Sequence, residues 1–166
     1  VVEQAYIAYS KKLLEGESKE VEGFILPKAI DKIKIKEFLH KLDIIIENHP
    51  EYQYPPYFKA KLLLALGDEK DVLTNFIPFA KKKRNDFWVW ELLADTFQSE
   101  DERKMACLCK ALSLKTPYEF LINTRQKLAE ILIKKGKFQE AKTEIEKILL
   151  ARNDNNWKIP KQISDW

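Results

Sequence analysis

Apolar residues recur three and four apart along most of this 166-residue chain, the spacing that places them on one side of a helix. The pattern is clearest from Lys127 to Leu150, KLAEILIKKGKFQEAKTEIEKILL, which predicts two short helices closed around Gly136. Leu128, Ala129 and Leu132 line the first, and Phe138, Ala141, Ile145 and Ile148 line the second. Ala129 and Ala141 are small where helices approach closely, and Gly136 supplies the left-handed backbone that ends a helix. So short a pair cannot bury its apolar face alone, so the pattern predicts further copies.

Upstream, Val2 to Glu15 reads as a helix with Ala5, Ile7, Ala8, Leu13 and Leu14 apolar, ended by Gly16. Glu17 to Glu22 is a polar link, and Gly23 to Pro27 is expected to be extended, because Pro27 disfavours helix at Leu26. Asp31 is placed to cap a helix reaching about Asn48, with the stripe Ile35, Phe38, Leu39, Leu42, Ile45 and Ile46. Pro50 stops it. Tyr52 to Pro56 forms a rigid elbow, with Pro56 suited to the first turn of a helix that ends at Gly67. Asp68 caps the next, to about Lys83, which Pro78 should kink or split near Ile77. Asn85 or Asp86 caps a helix over 87–98, and Ser99 or Asp101 caps one over 102–114. Thr116-Pro117 opens a longer helix through Lys135. Beyond Arg152 the run NDNN breaks the pattern, and the aromatic tail WKIPKQISDW is expected to pack back on the last pair.

The copies are present. Ala60, Ala94 and Ala129 are spaced 34 and 35 residues apart, each followed three residues later by Leu63, Phe97 or Leu132. Val72, Ala106 and Ala141 repeat the same spacings. This period and order of small and large residues resembles the tetratricopeptide repeat (TPR). Leu128-Ala129, Leu132, Gly136, Phe138 and Ala141 fall on its motif positions, as do Trp90, Leu93-Ala94, Phe97 and Ala106. The first unit departs at Val72 and Pro78, and Lys110 stands where the middle unit should be apolar, so that helix is expected to be rotated or shifted. The phrases YPPYFKAKLLLALG, PFAKKKRNDFWVWELLA and TEIEKILLARNDNNWKIP also look like an uncharacterised family of bacterial TPR-like proteins. The resemblance implies an all-α fold, a right-handed α-α superhelix (TPR-like solenoid) of about three hairpins plus N-terminal helices. The domain reading is N-terminal helices over 1–52, repeats over 53–86, 87–121 and 122–152, and a capping tail over 153–166.

Composition narrows the function more by exclusion than by indication. With 45% hydrophobic and 33% charged residues the chain is ordinary globular material, and four glycines are few for a β sandwich or barrel. A net charge of +3 does not by itself imply nucleic acid. Cys107 and Cys109 point roughly 200° apart on a helix, so they neither bridge nor chelate as a pair and read as small buried residues in a reducing compartment. His40 and His49 lack metal spacing, and no nucleophile elbow or phosphate loop occurs, so the chain reads as no enzyme, with no cofactor and no metal. No apolar run reaches the ~20 residues of a membrane span. The expected setting is the cytoplasm, with oligomeric state undetermined. A start at Val1 rather than Met suggests part of a longer protein.

What remains is binding. The resemblance implies a concave face lined by first helices, here Tyr54, Tyr57 and Lys61, then Trp88, Glu91 and Asp95, then Asn123, Gln126, Lys127 and Glu130. Aromatic and polar residues in that order suit a peptide or protein partner. Tyr54 and Trp88 could equally be covered by the N-terminal helices. The family's carboxylate clamp is not reproduced, since Asp95 and Glu130 would repel such a ligand. The alternative is a nucleic-acid accessory module, in which Lys81, Lys82, Lys83 and Arg84 grip phosphate beside Phe87, Trp88 and Trp90.

Overall fold

The chain is described by a computed structural model covering residues 2–18, 20–21, 24–25, 27–98 and 102–166. Gly23, Leu26 and the caps expected at Ser99 or Asp101 lie outside the described residues. Two compact units divide the chain, Val1–Lys82 and Lys83–Trp166.

In the first unit, α1 (Val2–Glu15) ends where Gly16 turns to φ +71°, and the chain returns through paired strands β1 (Glu20–Val21) and β2 (Phe24–Ile25). The ribbon is antiparallel, Glu20 opposite Ile25, and Glu17 and Ala29 exchange backbone hydrogen bonds of 3.1 Å below it. Asp31 caps α2 (Lys32–Asn48), its carboxylate accepting the N–H groups of Ile33 and Lys34. The predicted stripe is the buried one: Ile35, Phe38, Leu42 and Ile45 meet Leu13 and Leu62, with Tyr6 stacked on Phe38 at 5.8 Å. Each such side chain removed from water contributes about 2 kcal/mol. The face of α1 differs from expectation, since Ser10 and Leu13 are buried while Ala5 and Ala8 are exposed. The Ser10 hydroxyl can sit there because it donates to the Tyr6 carbonyl at 2.7 Å.

Helix α3 (Pro55–Leu66) begins with two prolines, tolerated where the N–H groups have no helical acceptor. Helix α4 (Glu69–Lys82) runs on through Pro78 unbroken, burying Val72, Phe76 and Ala80. Pro78 and Thr74, four residues earlier, are both exposed, so water can serve the carbonyl that the ring leaves without a donor.

The second unit has α5 (Phe87–Asp95), α6 (Glu102–Leu112), a 3₁₀ turn (Tyr118–Leu121) leading into α7 (Ile122–Lys134), α8 (Phe138–Asp154) and α9 (Lys161–Ser164). The helix expected from Thr116-Pro117 thus starts as a tighter turn, and α5 stops at Asp95. The α5–α6 and α7–α8 pairs are the unit's hairpins. Ala60, Ala94 and Ala129, the first repeat column, are all buried. Lys137 donates to the Leu132 carbonyl and Asp68 to that of Leu63, the same closure after Gly136 and Gly67.

Three core expectations are corrected. Phe138 is 68% exposed, while Ala141 and Ile148 carry the inner face of α8. Helix α5 buries Val89 and Leu92 more deeply than Trp90 and Leu93. In α6, Leu108 and Ala111 are buried while Ala106 and Lys110 are exposed, so the rotation that Lys110 suggested has taken Ala106 out of its column. The tail packs through Ile159 and Ile163 on Ile122, Ile148 and Ala151, whereas Trp157 and Trp166 keep 46% and 38% of their surface exposed.

Candidate functional site

The first-unit residues expected at the groove gather where α1 lies beside α3. Tyr54 is 46% exposed, just before α3. Its side chain offers no cap, and Glu3 of α1 supplies one, its Oε1 accepting the N–H groups of Gln53 at 2.9 Å and Tyr54 at 3.1 Å. One turn on, Lys61 holds its ammonium 5.1 Å from the centre of the Tyr57 ring. Tyr57, Phe58 and Lys61 form one wall of an open cleft of about 370 Å³, and Lys11, Leu14 and Glu15 of α1 form the other. Tyr57 meets Phe58 edge-on at 5.3 Å, giving that wall two rings. Lys11, Leu14 and Glu15 were missing from the expected site, because spacing within one helix does not reveal which helix lies alongside.

The second-unit residues have a different arrangement. The Lys127 ammonium lies between two carboxylates one turn apart on α5, 2.9 Å from Glu91 Oε1 and 2.8 Å from Asp95 Oδ2. Glu91 Oε2 also accepts the hydroxyl of Thr124, a fully buried residue, at 2.7 Å. Burial opposes the Lys127 charge, but the hydrogen bonds to Asp95 and Glu91 outweigh it and hold its pKa above the ordinary lysine value. Gln126 and Glu130 bond to Gln162 of α9, at 3.3 and 3.2 Å. Trp88 is half-buried and Asn123 exposed. Thus Glu91, Asp95, Lys127, Gln126 and Glu130 are engaged with their own chain, and the charge of Asp95 is matched by Lys127. Thr124 and Gln162 complete these clusters unforeseen. Their signal in the sequence was position alone, 33 residues after Glu91 and 35 after Lys127.

The basic run falls at the junction of the units. Lys81 and Lys82 end α4, exposed, and Lys83 and Arg84 open the second unit. The Trp90 indole N–H donates to the Arg84 carbonyl at 2.7 Å, which fixes that ring locally. Cys107 is half-buried and Cys109 exposed, against the expectation of two buried thiols. Partial burial, with Glu144 nearby, pushes the Cys109 thiol pKa up, away from reactivity at neutral pH. His49 bonds to Glu51 at 3.0 Å and stacks on Tyr52. Among the described residues no three of His, Cys, Asp or Glu are grouped to hold a metal, and no helix is long and apolar enough to cross a membrane.

Residues 53–166 match the model of a family described as Domain of unknown function (DUF7017). The chain belongs to this family. The match takes in α3 to α9, with the Lys127 cluster and the tail, and excludes α1, which walls the cleft. No curated protein matches the chain. Among solved structures it is similar to "MamA RS-1 ArsTM double mutant", at 19% identity and a TM-score of 0.62, over 75% of this chain and 70% of that one. It is also similar to "MamA 41-end from Desulfovibrio magneticus RS-1", at 19% identity and 0.60, over 73% and 68%. With these neighbours the family member's fold class is all-α, a TPR-like helical solenoid.

Proposed function

We propose that this chain is a non-catalytic protein-interaction module, and that its primary contact with a partner is the α1–α3 cleft. The observation that carries this reading is the lining of that cleft. Apolar Leu14, Tyr57 and Phe58 share the lining with Lys11 and Lys61, the Lys61 ammonium lying over the Tyr57 ring, and Glu15 is the single carboxylate among them. An apolar lining with surplus positive charge suits a peptide that inserts one apolar side chain and sets acidic residues beside it. Of the other groove positions, Tyr54 extends the aromatic surface of the first unit, while Trp88, half-buried, and Asn123, exposed, belong to the second unit. Glu91, Asp95 and Lys127 serve the architecture instead, being paired with one another within the second unit. TPR-like folds of solved neighbours support an interaction role at the level of fold class.

The test is fluorescence anisotropy with three labelled peptides that share a central Leu-Phe and differ in acidic, neutral or basic flanks. The acidic peptide should bind the intact chain best, and Lys61→Glu should weaken it roughly tenfold, a change of about 1.4 kcal/mol. Tyr57→Ala should weaken all three. Equal binding of acidic and basic peptides, or an undiminished affinity in the folded Lys61→Glu variant, would remove the cleft from the reading.

A further inference from the structure

Two polar clasps in the second unit repeat one another. In the inner one, Glu91 and Asp95, a turn apart on α5, hold Lys127 of α7. In the outer one, Gln126 and Glu130, a turn apart on α7, hold Gln162 of α9. Within each clasp the held residue follows its two holders by 36 and 32 positions. Each member of the outer clasp comes 35 residues after its counterpart, Gln126 after Glu91, Glu130 after Asp95 and Gln162 after Lys127. The residue after the held one is apolar and buried in both, Leu128 at 5% exposure and Ile163 at 2%. Helix α9 therefore stands where the first helix of another unit would stand, with Ile163 over Ile122, Ile148 and Ala151.

The two clasps differ in charge and in length. The inner one closes two carboxylates on an ammonium, whereas in the outer one the Glu130 carboxylate is met by the neutral amide of Gln162. Helix α7 has 13 residues and α9 has four, a single turn that is not stable without its contacts. The outer clasp thus seats a single helical turn where the inner one seats a 13-residue helix, and it sets a neutral amide against a carboxylate.

We propose that the α7–α8 end face is a second docking site, distinct from the α1–α3 cleft. It would take a partner helix bearing a lysine or arginine followed by an apolar residue, and α9 is the placeholder that such a helix displaces. The partner's cation meets Glu130 and Gln126, and its apolar residue takes the seat of Ile163. Because α9 competes in cis, the affinity seen from outside is lowered by the fraction of time the seat is filled.

Two measurements on the intact chain test this. Hydrogen exchange over residues 157–164 reads how firmly the tail is held. Gln162→Lys should slow it roughly fivefold at low salt and lose most of that gain in 1 M NaCl, and Gln162→Glu should speed it. The second uses a labelled synthetic peptide of residues 116–135, which carries Lys127-Leu128 on a helix, and the same peptide with Lys127→Glu. The first peptide should bind the intact chain, and bind the Ile163→Asp variant roughly tenfold more tightly because the cis occupant is unseated. The charge-reversed peptide should bind neither. Equal effects of Lys and Glu at position 162, or equal binding of the two peptides, would overturn the proposal. Should Ile163→Asp fail to fold, the two position-162 variants decide.

Discussion

The carboxylate of Glu3 accepts the backbone N–H of Tyr54 at 3.1 Å across 51 residues of sequence. It also takes that of Gln53, so the two residues that lead into α3 have their N–H groups served by the first helix of the chain rather than by a neighbour in sequence. One side chain thereby both caps α3 and holds α1 along it, which keeps the cleft walls together.

Glu3→Ala should therefore cost about 1 kcal/mol, the usual loss for a helix cap, and lower the melting temperature by roughly 3 °C. Glu3→Gln, which keeps an acceptor oxygen without the charge, should lose less. Circular dichroism melts of the three proteins measure this, and an unchanged Glu3→Ala melt would mean that the cap contributes nothing.

Lys127 links stability to pH at the alkaline end. Hydrogen bonds to Asp95 and Glu91 outweigh the opposing effect of burial and raise its pKa above 10.5, so the folded chain holds this proton more tightly than the unfolded chain does. The stability it contributes is complete below about 10.5 and is lost as the pH rises through the folded value. Lys127→Met should cost about 2 kcal/mol at pH 8 by leaving two carboxylates unmatched. The gap between the denaturant midpoints of the two proteins should shrink as the pH is raised beyond about 10.5, and a gap of constant size would contradict the linkage.

Two glycines with nearly the same backbone should respond differently to alanine. Gly16 at φ +71° and Gly136 at φ +70° both pay for a left-handed side chain, about 1 kcal/mol. A Cβ on Gly16 would also lie 2.7 Å from the backbone of Ala29, whereas one on Gly136 meets nothing within 4 Å. Urea titration should show Gly16→Ala costing about 3 kcal/mol and Gly136→Ala about 1. Similar losses would mean that the Glu17–Ala29 bridge does not press on Gly16.

Much of the architecture was legible along the chain. Asp31, Gly16, Gly67 and Gly136 mark helix ends through local backbone chemistry, and each does so in the fold. The stripe of α2 was legible too, because polar residues flank it closely on both sides. Helix α5 was harder, since FWVWELLA is apolar nearly all round and its neighbours choose which residues to bury. Phe138 was misplaced because a motif position implies a neighbouring surface, and among the described residues it stays mostly exposed. The residues expected at the groove part company in the fold. Tyr57 and Lys61 line a cleft, but Glu91, Asp95 and Lys127 are consumed by one another.

The sequence by itself determined the helices, their ends and the 34- and 35-residue period, because hydrogen bonding within a turn, capping and apolar spacing all act over a few residues. Only the tertiary structure decided which charged residues are spent inside the fold and which face outward. Glu91 meets Lys127, Gln162 meets Glu130, and Lys11 comes beside Lys61 through the packing of separate helices. A carboxylate on a helix surface looks the same in sequence whether water or another helix lies opposite. The geometry of packing sets that difference, and with it the surfaces left for a partner.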